Sequence, residues 1–97
     1  MDFEINGNKF RSKKGFYRHV ENIFTYELGW RIGRNLNAFA DILRGGFGRH
    51  DPGEEITVVW SNFQKSKQCL NENFLAAAEE ILAEAENVTF EKYDYRK

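Results

Sequence analysis

The side chains of this 97-residue chain that could do chemistry are few and widely spaced: two histidines, His19 and His50, one cysteine, Cys69, and scattered carboxylates. His50 adjoins Asp51 beside a turn signal, but no Ser or Cys nucleophile is in register with the pair, so the nucleophile–base arrangement of covalent catalysis is missing. The same side chains give no metal-ligand spacing. His19, next to an apolar stripe, reads as a packed surface residue, and Cys69 as a buried or half-buried thiol. Gly45-Gly46-Phe47-Gly48 resembles a phosphate loop only in composition. It follows a helix C-terminus, where the dipole repels anions, instead of leading into an N-terminus. It suits a tight rim loop with Phe47 as an exposed anchor. No catalytic residue, metal or cofactor is therefore expected.

What remains is a surface. Between Arg34 and Arg44 the apolar residues Leu36, Phe39 and Leu43 fall within about 60° of one another on a helix. Arg34, Asn37, Asp41 and Arg44 fall within about 80° on the opposite side, with Ala38 and Ala40 flanking them. Nothing in a fold requires a carboxylate at Asp41. It is either an interface residue or a solvated Asp paired with Arg44 or Arg34. Charge is uneven along the chain. Residues 31–50 carry four arginines against Asp41 alone, whereas residues 71–97 carry seven acidic groups against three basic ones, although the whole chain is only −1. Such a distribution suits a partner with patches of both signs, or is ordinary surface variation.

The elements that must hold this helix read in order. Phe3 to Asn6 alternates as a short strand, and Asn6-Gly7 supplies a turn through positive φ. Phe16, Val20, Ile23 and Phe24 place a first helix at about Lys13–Tyr26. The second helix, about Arg34–Arg44, stops at the Gly-rich segment. Asp51-Pro52-Gly53 is a further turn. Ile56 to Trp60 is β-branched, aromatic and unbroken, which predicts a central strand buried on both faces. Ser61 is placed to cap a short helix holding Phe63 and Ser66. Asn71 caps the last helix, whose stripe is Phe74, Leu75, Ala78, Ile81, Leu82 and Ala85. A last strand follows from about Val88 to Tyr93. Helical connections between strands imply parallel pairing. The expected fold is α/β, a three-stranded parallel sheet packed against about four helices, one of them short, in a single domain over 1–97.

Composition excludes several classes. Hydrophobic residues are 41 % and charged residues 30 %, which excludes disordered and collagen-like chains. A lone Cys excludes an internal disulfide. The longest apolar runs are about five residues, too short to cross a bilayer. Met-Asp-Phe-Glu shows neither the basic region nor the apolar core of a secretory signal. A reduced, cytoplasmic protein is the expectation.

The segment Gly33-Arg34-Asn35-Leu36-Asn37-Ala38-Phe39-Ala40-Asp41-Ile42-Leu43 resembles the signature helix of the barstar family, inhibitors of the ribonuclease barnase. Ile5-Asn6-Gly7 with Arg11-Ser12 is similar to the family's opening strand and turn. Trp60, Phe63 and Ser66-Lys67-Gln68 are similar to its Trp-x-x-Phe-x-x-Ser segment, and Asn87-Val88-Thr89-Phe90 to its last strand. The resemblance implies a barstar-like fold and an intracellular bacterial inhibitor, monomeric when free. Its partner would be a protein toxin, a nuclease, whose active site it occludes without catalysis of its own. A nuclease site is lined with cations that grip phosphate, and a carboxylate can stand in for that phosphate.

The contact set departs from the family's. The family carries two carboxylates one turn apart on this helix; here the first is Asn37 and only Asp41 is kept. A family Trp is Ala40, and a pair of Tyr is Arg31-Ile32. Glu80 falls where the family has a Glu that contacts the enzyme, and Glu84 lies on the same flank. The expected partner-binding residues are Arg34, Asn37, Ala40, Asp41, Arg44, Phe47 and Glu80. Arg34 and Arg44 would meet acidic groups on the toxin's rim. The competing reading is a small nucleic-acid-binding module using Arg31, Arg34, Arg44 and Arg49, with Trp30 or Phe47 for stacking.

Overall fold

In a computed structural model, which describes residues 1–25, 35–45 and 50–94, three parallel strands form one sheet in the order β1 (Asp2–Asn6), β2 (Ile56–Ser61), β3 (Val88–Lys92). Phe3 aligns with Val58 and Val58 with Phe90; Ile5 aligns with Trp60. The helices are α1 (Lys13–Phe24), α2 (Leu36–Arg44), α3 (Phe63–Cys69) and α4 (Glu72–Glu84). The α/β fold, the parallel pairing and the central place of β2 are as the sequence predicts.

The core lies on one face of the sheet. Phe3, Ile5, Ile56, Val58 and Trp60 are buried there in one cluster with Phe16 and Val20 of α1, Phe39 and Leu43 of α2, and Leu75 and Leu82 of α4. On the other face Glu4, Asn6, Thr57 and Val59 are half-buried. This corrects the expectation that β2 is buried on both faces. Its period-2 pleat sends Thr57 and Val59 away from the helices, and β-branching alone does not reveal that.

Aromatic rings carry the packing. The Phe16 ring stacks on Trp60 at 5.5 Å, Phe39 meets Phe16 edge-on at 5.3 Å, and Phe63 meets Trp60 edge-on at 5.2 Å. Trp60 Nε1–H donates to Ser66 Oγ at 3.0 Å, so the buried indole is satisfied. The Trp-x-x-Phe-x-x-Ser spacing is thus one packing unit joining the end of β2 to α3.

Three local expectations change. Asn6-Gly7 makes no positive-φ turn: Asn6 is extended, and its side chain caps a 3₁₀ turn, Gly7–Lys9. Gly7 is needed for a different reason, because a Cβ there would run into the Asn62 carbonyl. Ser61 does not cap α3; it ends β2, and its hydroxyl donates to Glu4 across the sheet. The residue before α3 is Asn62, in the left-handed region at φ 52°, with its amide donating to Asn6 Oδ1 at 2.8 Å. The second helix starts at Leu36, not Arg34, because Asn35 is its N-cap; Arg34 and Tyr26 lie outside the described residues.

Tyr17 lies in the core with its hydroxyl buried and with no hydrogen-bond partner among the described residues. Burial also raises its pKa. An unmet buried hydroxyl is a net loss to the folded state. Tyr17→Phe is expected to raise stability by about 1 kcal/mol, read as a higher urea midpoint. A lower midpoint would show that the hydroxyl has a partner in solution.

Candidate functional site

The outer face of α2 is displayed by a well-fixed inner face. Phe39, Ile42 and Leu43 are fully buried, whereas Asn37, Asp41 and Arg44 are exposed and Ala40 is half-buried. At the N-terminus Asn35 Oδ1 accepts from the Ala38 N–H at 2.8 Å, a good cap that holds the first turn.

The C-terminus is held by donors from three directions. Gly45 N–H donates to Ile42 O at 3.2 Å, and Gly53 N–H to Arg44 O at 2.6 Å. The Leu43 carbonyl accepts from the Asn87 amide at 2.8 Å, and the same amide donates to Glu54 O at 3.0 Å. His50 Nε2 also lies 3.0 Å from Leu43 O, so Nε2 is the donor, and the buried Nδ1 has no hydrogen-bond partner among the described residues. Gly45 has φ 99°, and a Cβ there would meet the Asp51 carbonyl, so only glycine lets the chain leave α2 at this angle. Asp51-Pro52-Gly53 is a turn as predicted, closed by Glu54 N–H on Asp51 O at 3.0 Å with Gly53 at φ 77°. His50 and Asn87 are positioning residues for α2 that the sequence does not reveal. Their partner is a backbone carbonyl, which leaves no residue-type signature.

On the outer face, Arg44 Nη1 reaches Asp41 Oδ1 at 3.3 Å. The two side chains are 74 % and 60 % exposed, so the pair is worth at most about 1 kcal/mol and exchanges readily for a partner's groups. Asn37 stands one turn before Asp41 and adds hydrogen-bonding groups without charge. Between α2 and α4 runs a cleft of about 780 Å³ with Ala40 and Arg44 on one wall and Ile81, Glu84 and Ala85 on the other. Glu80 is exposed on α4 but does not line the cleft. The structure therefore brings Ala40, Arg44 and Glu84 together and leaves Asn37, Asp41 and Glu80 on outward surfaces. Arg34 and Phe47 lie outside the described residues, as do Trp30, Arg31 and Arg49 of the nucleic-acid reading. Arg44, the basic residue of that reading within the described part of α2, is already engaged by Asp41.

Among the described residues, no group of three or more His, Cys, Asp or Glu is placed to hold a metal ion, and no helix is long and apolar enough to cross a membrane. His19 is structural. Its Nε2 accepts from the Asn6 N–H at 3.0 Å and so must be unprotonated. Burial, then the charge of Lys9, lowers its pKa against an opposing pull from Glu4. The unfolded chain therefore takes the proton first. Stability is complete above the ordinary histidine value of about 6.5 and falls as pH drops below it towards the folded value. Urea midpoints between pH 7.5 and 5.5 are expected to show this fall, and His19→Gln to flatten it. An unchanged slope in that variant would place the titration elsewhere.

The fold and this face define a small α/β protein whose chemistry-bearing surface is suited to binding. The sequence profile of the family described as Barstar (barnase inhibitor) matches residues 1–95. The chain belongs to the barstar family. A search of curated proteins finds no match.

Proposed function

We propose that this protein binds and occludes the active site of a toxin, a ribonuclease, in the cytoplasm of the bacterial cell that makes it, and has no catalysis of its own. The observation that carries this reading is Asp41: an exposed carboxylate in mid-helix, on the outer face of a helix fixed at both ends. Family membership supports it, since barstar proteins are inhibitors of this kind. Asp41 would leave Arg44 and take the place of a substrate phosphate among the nuclease's cations. Asn37, Ala40, Arg44 and Glu80 would surround it, with Arg34 and Phe47 completing the rim. A rigid display favours binding because little of α2 has to be ordered on association.

The test is RNA cleavage by a ribonuclease co-purified with this chain from the cells that make it, titrated with the purified chain. Stoichiometric loss of cleavage is expected, weakened at least about tenfold by Asp41→Lys, which places like charges together. A complex that leaves cleavage intact would overturn occlusion, and tight binding of the chain to RNA would favour the nucleic-acid module instead.

A further inference from the structure

We infer that the end of the molecule formed by the turn after β1, the start of α1 and α3 binds the phosphate backbone of single-stranded RNA; the choice of RNA rests on the ribonuclease reading above. Positive charge is concentrated there. Between residues 5 and 20 the chain carries five Lys and Arg and no Asp or Glu, although it is −1 overall. Lys9, Arg11, Lys13 and Arg18 are exposed, and none of the four has an ion-pair partner among the described residues. The 3₁₀ turn Gly7–Lys9 packs against α3, which brings Lys65 and Lys67 to the same end. This is the carboxyl end of the sheet, where β1 runs into the turn and α1, and β2 into α3. The C-terminal anchor of α2 is at the opposite end, tied to Gly53 ahead of β2 and Asn87 ahead of β3.

The arrangement is unfavourable without an anion. Lys13 and Lys14 open α1, whose first turn has no acidic residue, so cations stand at the positive end of the helix dipole. Lys14 and Arg18, four residues apart, add like-charge repulsion along the helix. The Lys13 ammonium lies 5.3 Å from the centroid of the Phe74 ring, which directs it without neutralising it. Phosphate groups relieve all of these at once. The apolar side chains decide the kind of anion. Ile5, Phe10, Phe16, Tyr17 and Val20 are all buried. A protein interface needs an apolar core, and a lipid surface needs an apolar face to insert. A nucleic-acid backbone needs only cations and hydrogen-bond donors. With no exposed ring between residues 5 and 20 to stack on bases, the contact is independent of base sequence.

The probe is a fluorescent oligouridylate, titrated with the free chain and read by anisotropy. A dissociation constant of about 1–100 μM is expected, the range of non-specific binding and far weaker than the tight binding of a dedicated nucleic-acid module. The logarithm of affinity should fall against the logarithm of salt with a slope of about −3, as about four phosphate contacts on a single strand give. Arg11→Gln should reduce that slope by about 0.7 and weaken binding at least about threefold. Lys13→Glu should weaken it about tenfold or more, and it supplies the carboxylate that the first turn of α1 lacks, so the urea midpoint should be kept. A slope near zero, or unchanged affinity in both variants, would overturn the inference. So would an equal loss on Arg44→Gln, which would move the contact to α2, or tighter binding to oligothymidylate, polyglutamate or phosphatidylserine vesicles than to the RNA. No nuclease is present, so a failure here is distinct from a failure to inhibit the ribonuclease.

Discussion

Truncation of Phe39 to alanine is expected to destabilise the protein by about 3–5 kcal/mol, while Asp41→Ala on the same helix changes stability by less than about 1 kcal/mol. The contrast follows from where two residues only half a turn apart in direction are sent. Phe39 is fully buried, and its ring meets Phe16, which stacks on Trp60 of the central strand. Removing it opens a void where α2 joins the sheet, and the aromatic neighbours, fixed by their own contacts, cannot collapse to fill it. Asp41 makes one exposed ion pair, which water replaces at little loss. Urea midpoints of the two variants measure the ranking. The reverse order would mean that α2 is rotated by half a turn from the phase described. The same comparison separates roles, because Asp41→Ala should keep the fold and lose the partner.

Features set by neighbours in the chain were readable in the sequence. Asn71 caps α4 by accepting from Asn73 and Phe74, two and three residues on, and the Asp-Pro-Gly turn closes within four residues. The phase of α2 followed from its apolar spacing, and the resemblance to the barstar family singled out the same helix as the proposed binding face. What escaped depends on distant partners. Gly7 is small because Asn62, more than fifty residues away, approaches it, and Ser61 answers Glu4 across the sheet. The Leu43 carbonyl collects His50 and Asn87 from separations of 7 and 44 residues. The Asp41–Arg44 pair was one of the two readings open at that position, and its formation in the free protein is compatible with either. The cleft could not be seen at all, since it exists only once the ends of α2 and α4 are side by side.

Barnase itself is expected to be inhibited poorly, with micromolar or weaker affinity, at least about a thousandfold short of the nanomolar range of a dedicated inhibitor. The reason is charge on the outer face of α2. Asn37 is neutral where the family has a carboxylate, and Asp41 is neutralised by Arg44 at 3.3 Å, so these three side chains sum to zero in front of a cationic active site. Arg44 must also be moved or desolvated on docking, and a cation left facing a cationic groove costs several kcal/mol and slows encounter. Two substitutions should each recover part of the loss. Asn37→Asp restores the missing charge, and Arg44→Ala frees Asp41 to meet the enzyme; each is expected to tighten binding by about tenfold or more, with a steeper dependence on salt. Neither should suffice alone, because each leaves the other defect in place. Because the two act on neighbouring groups, the double variant should depart from simple additivity. A titration of barnase activity with the unmodified chain decides the matter. Nanomolar inhibition would mean that Asp41 exchanges Arg44 for the enzyme's cations without loss and that the remaining face, Glu80 included, compensates for Asn37. The specificity of this chain would then reside outside α2.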